Sequence, residues 1–120
     1  MDINQGLKCN SDGCHSGDME VLSQDWRKCD SLIGELHGDW EWCGHSEGQL
    51  TAKLWNTYEF EDFANALEFV FKVGAIAEEM NHHPKIELEW GRVRVDLWTH
   101  AVSGITELDL GLAKLIDQIK

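Results

Sequence analysis

Residues 78–100 read EEMNHHPKIELEWGRVRVDLWTH, and the pattern of this stretch decides the fold. Pro84 lacks an amide hydrogen and pushes the residue before it out of the helical region, so a helix running through Glu78–Met80 must stop here and His83 must be extended. Ile86, Leu88 and Trp90 then alternate with Lys85, Glu87 and Glu89. Gly91 allows a turn, after which Val93, Val95, Leu97 and Thr99 alternate with Arg92, Arg94, Asp96, Trp98 and His100. A period of two with one polar face predicts an antiparallel hairpin whose returning strand ends at His100.

Working upstream, Phe63 to Met80 has helical spacing, with Phe63, Leu67, Val70, Phe71, Gly74 and Ala77 on one stripe and Phe69, Val73, Ile76 and Met80 widening it. This predicts the most buried helix. Before it, the short aromatic run Asp39–Trp42, the turn-like Gly44–Gly48 and the alternation from Leu50 to Phe60 predict another hairpin. Leu22, Trp26, Cys29, Ile33 and Leu36 predict a helix over roughly 23–36, N-capped by Ser23 and stopped by Gly38. Downstream, Thr106 and Asp109 have capping-box spacing and open a last helix striped by Leu108, Leu112, Leu115, Ile116 and Ile119. Residues 1–20 have no period and read as an arm, leaving 21–120 as one domain. The order α-β-β-α-β-β-α predicts an α+β, two-layer domain: an antiparallel four-stranded sheet with three helices on one face.

Composition excludes several classes of function. Ten Lys and Arg against 22 Asp and Glu give a net charge of -12, which would repel a phosphate backbone, so no nucleic acid partner is expected. No apolar run approaches the roughly 20 residues that span a bilayer, and Met1–Asn10 lacks the basic and apolar segments of a secretory signal; a cytoplasmic protein without membrane contact is expected. Cys9, Cys14, Cys29 and Cys43 are expected to be reduced thiols.

The chemistry concentrates at the helix-to-strand junction. Glu78 and His82 stand four apart, a spacing at which the carboxylate can fix the imidazole's tautomer. His83 can turn a second imidazole toward the same mouth, and the returning strand brings His100 near. Asp109 then follows at a helix N-terminus. Groups that titrate near neutrality beside orienting carboxylates suit proton shuttling.

Glu78, His82-His83-Pro84, Trp90, His100 and Asp109, at these spacings, resemble the pterin-4a-carbinolamine dehydratase family. Thr99-His100, Gly104-Ile105-Thr106 and Tyr58–Phe63 resemble flanking segments of that family, so the likeness covers roughly residues 22–120. Asn81 stands where mammalian members carry Asp, Ala101 replaces a frequent acidic residue, and Trp98 is bulky where small residues are usual. The resemblance implies dehydration of a 4a-hydroxytetrahydropterin to the quinonoid dihydropterin, which a reductase can recycle, in service of an aromatic amino acid hydroxylase cycle. It implies catalysis by His82, His83 and His100, with Glu78, Asn81, Thr99 and Asp109 binding or orienting, and no cofactor. His82 and His100 would be the acid-base pair and His83 the positioner. A homodimer or homotetramer joined through the sheet edge and last helix is also implied.

Other readings compete. Asp109 can serve purely as a cap, and the two roles are compatible. Zinc is disfavoured because there is no His-x-x-x-His pair and neighbours entering a strand diverge; Cys9, Cys14, His15 and Cys29 are too irregular for a zinc pattern. Trp98 can pack or can stack on a pterin. The Leu108–Ile119 stripe can be internal or an interface. A noncatalytic dimerisation partner of a transcription factor is a rival function, but a pure scaffold would not need matched titrating groups in a cleft; a pterin-binding protein with weak turnover is a third.

Overall fold

In the computed structural model, residues 19–45, 48 and 50–120 are described; nearly all of the expected arm, with Cys9, Cys14 and His15, lies outside them. The described chain opens with a 3-10 turn, Leu22–Gln24, and then helix α1, Trp26–Gly34. Asp25, not Ser23, caps α1, its carboxylate accepting from Lys28 N–H at 3.2 Å. The expected helix therefore starts three residues late. Ser23 is used elsewhere: its Oγ accepts from Ile105 N–H at 3.1 Å, tying this turn to the distant segment before the last helix.

Strands β1 (Glu41–Cys43) and β2 (Lys53–Glu59) form the first hairpin. Helix α2 (Phe63–Met80) follows, then β3 (Lys85–Glu89), β4 (Arg92–Leu97) and α3 (Glu107–Ile119). The four strands are antiparallel in the order β1-β2-β4-β3, so each hairpin stays intact and β4 packs against β2. The expected α+β architecture and element order are the observed ones. No helix among the described residues is long and apolar enough to cross a membrane.

The inward positions of the central strands, Leu54, Val93, Val95 and Leu97, are completely buried and meet Cys29, Ala66, Phe69, Val73, Leu108, Leu112 and Ile116 in one core. Each large aliphatic side chain moved out of water here contributes roughly 1.5–3 kcal/mol. The α3 stripe is thus mainly internal. On α2 the expected stripe is corrected in part: Ala77 and the flanking Phe69, Val73 and Met80 are buried with Ala66, but Phe63, Leu67 and Phe71 are exposed. This helix is apolar on two sides, and periodicity cannot say which side meets the sheet.

Candidate active site

Asp62 caps the start of α2, accepting from Asn65 N–H, and Asn81 ends it. Asn81 has φ 52° and ψ 40°, a left-handed conformation that asparagine tolerates better than most residues. The reversal lets the N–H of His82 return to the Ala77 carbonyl at 3.1 Å, and the chain then leaves extended toward β3. Adjacent residues on extended backbone point to opposite sides. His82 is accordingly buried and His83 exposed.

This geometry corrects the expected pairing. Glu78 does not hold His82; its Oε2 meets Nε2 of His83, on the outside of the molecule. Helical i,i+4 spacing no longer applies once Asn81 has turned the backbone. The partner of His82 is Asp109, with Nε2 and Oδ1 separated by 2.7 Å. Asp109 Oδ2 accepts from the Thr99 hydroxyl and from Thr106 N–H, both at 2.9 Å.

The proton positions in this cluster follow from elimination. Thr99 gives its hydroxyl hydrogen to Asp109, so the 2.8 Å contact between the two threonine hydroxyls must have Thr106 as donor. Thr106 Oγ1 in turn accepts from Leu108 N–H at 3.2 Å. The carboxylate of Asp109 has only acceptors to offer, so the hydrogen on the His82 imidazole is assigned to Nε2 and the basic nitrogen is Nδ1. Asp109 both completes the α3 capping box, through Oδ2, and holds His82, through Oδ1. An acidic group in a helix's first turn is also favoured by the dipole.

Thr99, Thr106 and Asp109 are fully buried, so their influence on any ligand passes through the groups they hold. Thr106 was legible in the sequence only as a helix start; nothing in a capping pattern says that it also donates to Thr99 on the segment leaving β4. His100, one residue after Thr99, opens a 3-10 turn and is exposed. Lys85 pairs with Asp96, so the segment entering β3 and the segment leaving β4 emerge from one end of the sheet. Asp109 ties the two together, grasping His82 from one and Thr99 from the other.

Trp98 is half-buried, with its ring 4.7 Å from that of His100 and tilted by 44°. Trp90 lies at the opposite end of the hairpin, exposed beside the Gly91 turn. Among the described residues, no three His, Cys, Asp or Glu side chains are disposed to hold one metal ion. Cys29 lies in the core beneath this region; burial first, then the charges of Asp30, Asp109 and Asp25, pushes its thiol up to about 11.

A relative from Hahella chejuensis, provisionally named pterin-4-alpha-carbinolamine dehydratase, is 55% identical over 52% of this chain and 55% of its own length. The match thus spans about half of that relative. One from Rickettsia bellii with the same provisional name is 38% identical over 78% of both chains. The crystal structure of a transcriptional coactivator/pterin dehydratase from Brucella melitensis superposes with a TM-score of 0.67 at 29% identity, covering 78% of this chain and 93% of that one. A pterin dehydratase-like RuBisCO assembly factor of the alpha-carboxysome shares the fold, with a TM-score of 0.55 at 24% identity over 69% of this chain and 90% of that one. The model of the family Pterin 4 alpha carbinolamine dehydratase matches residues 22–119, and the chain belongs to that family.

Proposed function

We propose that this protein dehydrates 4a-hydroxytetrahydropterins, with His82 and His100 as the acid-base pair and His83 positioning the substrate. One imidazolium gives a proton to the 4a-hydroxyl, the C4a–O bond breaks and water leaves. A neutral imidazole takes the proton from N5, and the N5–H electron pair becomes the new C4a=N5 bond of the quinonoid dihydropterin. Two imidazoles in opposite protonation states suit this exchange near neutral pH, and the reading calls for no metal or cofactor.

The observation that carries this reading is the buried chain Thr99–Asp109–His82, which fixes the His82 tautomer beside the segment bearing His100. A carboxylate on one imidazole nitrogen, directing the other, is a recurrent way of orienting an acid-base histidine. Asp109 and Thr99 orient His82; Glu78 orients His83; Asn81 sets the direction in which both leave the helix. The substrate would come from an aromatic amino acid hydroxylase in the cytoplasm. The dehydratase domain would comprise residues 21–120, with 1–20 as an arm.

The exposed Phe63, Leu67 and Phe71 on α2 support a homodimer or homotetramer. The same face, with the Brucella protein's name, supports a second reading as a transcriptional cofactor. Stopped-flow decay of the 4a-carbinolamine absorbance separates the two. The intact protein should accelerate decay, and His82→Ala and His100→Ala should each lower kcat by roughly 10²–10⁴-fold, the usual worth of a positioned acid or base. No acceleration, or three single histidine variants indistinguishable from wild type, would refute the catalytic reading.

A further inference from the structure

Lys53 opens β2 and Trp98 follows β4; because Leu54 pairs with Leu97, the two sit beside each other across the β2–β4 boundary. Lys53 Nζ stands over the indole, 4.5 Å from the ring centre, and the same indole lies against His100. Lys53, Trp98 and His100 therefore form a continuous row at the end of the sheet where β2 begins and β4 leaves. Lys28, Lys72 and Lys85 each pair with a glutamate, but among the described residues no carboxylate forms an ion pair with Lys53, Lys114 or Lys120. Of these three, Lys53 alone sits beside His100 through a shared ring. In a chain of net charge -12, this ammonium is seated on an aromatic ring, which attracts a cation, rather than on a carboxylate.

We propose that Lys53, seated on Trp98, recognises an anionic group, carboxylate or phosphate, on the side chain of the pterin substrate. The inference deepens the dehydratase reading, since it places the pterin beside His100. The bond that breaks is at the imidazoles, whereas the ammonium lies an indole's breadth away, where a ring substituent rather than the reacting carbon would reach. The pterin ring is neutral and gains little from a fixed cation, but an acidic substituent gains an ion pair. Trp98 contributes by restricting a long side chain that would otherwise lose its freedom on binding.

Calorimetric titration with three unreactive pterins tests this: 6-methylpterin, pterin-6-carboxylic acid and the phosphate ester of 6-hydroxymethylpterin. Wild type should bind at least one acidic ligand about fivefold more tightly than 6-methylpterin, the scale of a partly exposed ion pair, and more so at low salt. The larger of the two ratios identifies the group. The preference should fall toward one in Lys53→Gln and in Trp98→Leu, with folding of each verified by its melting curve, and persist in Lys53→Arg. An unchanged preference in Lys53→Gln, or no acidic ligand bound more tightly than 6-methylpterin by wild type, overturns the inference. Turnover is measured separately: a protein that binds acidic pterins through Lys53 yet accelerates no carbinolamine keeps this inference and loses the catalytic one.

Discussion

His82 Nε2 and Asp109 Oδ1 stand 2.7 Å apart with only 4% and 0% of their side chains exposed, so one carboxylate governs how the imidazole carries its hydrogen. Asp109→Asn would replace one acceptor oxygen with an NH2 donor. Two donors, Thr99 and Thr106, face Oδ2 and one, His82, faces Oδ1, so the amide oxygen should stay with the threonines. The NH2 would then face Nε2 and drive the hydrogen to Nδ1. The expected result is a loss of about a hundredfold or more in kcat, the scale of a positioned acid-base group, with a folded protein. Nitrogen-15 spectra of His82 should report the inverted tautomer; wild-type turnover would disprove the role.

Asn81 holds the left-handed turn that separates the two histidines. Asn81→Val should cost roughly 1–2 kcal/mol, because a β-branched side chain is disfavoured there, and should impair turnover by misdirecting His82. Asn81→Gly, which adopts the left-handed conformation freely, should retain more of both stability and activity than Asn81→Val. Denaturant unfolding and stopped-flow assays of the pair check this; equal behaviour of the two variants contradicts it.

Gly104 is enclosed. A Cβ there would lie 2.7 Å from Ser23 Oγ and 2.8 Å from Val21 Cγ1. Gly104 also bridges Thr99 across the His100 turn, its carbonyl accepting from Thr99 N–H at 2.8 Å. Gly104→Ala should therefore destabilise by roughly 1–3 kcal/mol, as overpacking does. Gly74 has nothing within 4 Å of such a Cβ and lies inside α2, so Gly74→Ala should stabilise by about 0.5–1 kcal/mol. Opposite shifts in melting temperature are the expected pair of results.

Cys29 has its thiol raised from 9.0 to about 11, chiefly by burial. The folded state holds this proton more tightly than the unfolded chain. Its contribution to stability is thus complete below the ordinary thiol value and is lost as pH climbs through that value toward about 11. Between pH 8 and 11, stability should fall more steeply for wild type than for Cys29→Ala, whatever constant offset the cavity adds. Parallel slopes would contradict the assignment. At neutral pH Cys29 should also resist thiol reagents until the protein unfolds.

Residues 78–100 alone determined much of the architecture. Proline chemistry disfavours a helix running on through His83, and an alternation of period two makes β3 and β4 a hairpin where one face is buried. The capping box at Thr106 and Asp109 was equally local. Three features were decided only by tertiary structure. The partner of Asp109 lies 27 residues away in sequence, so no spacing rule could assign it. Asn81 could have continued the helix, and only its left-handed turn sends His82 inward to Asp109 while leaving Glu78 to His83. The choice between the two apolar faces of α2 was likewise open, because periodicity records where apolar residues lie but not which of them the sheet will cover.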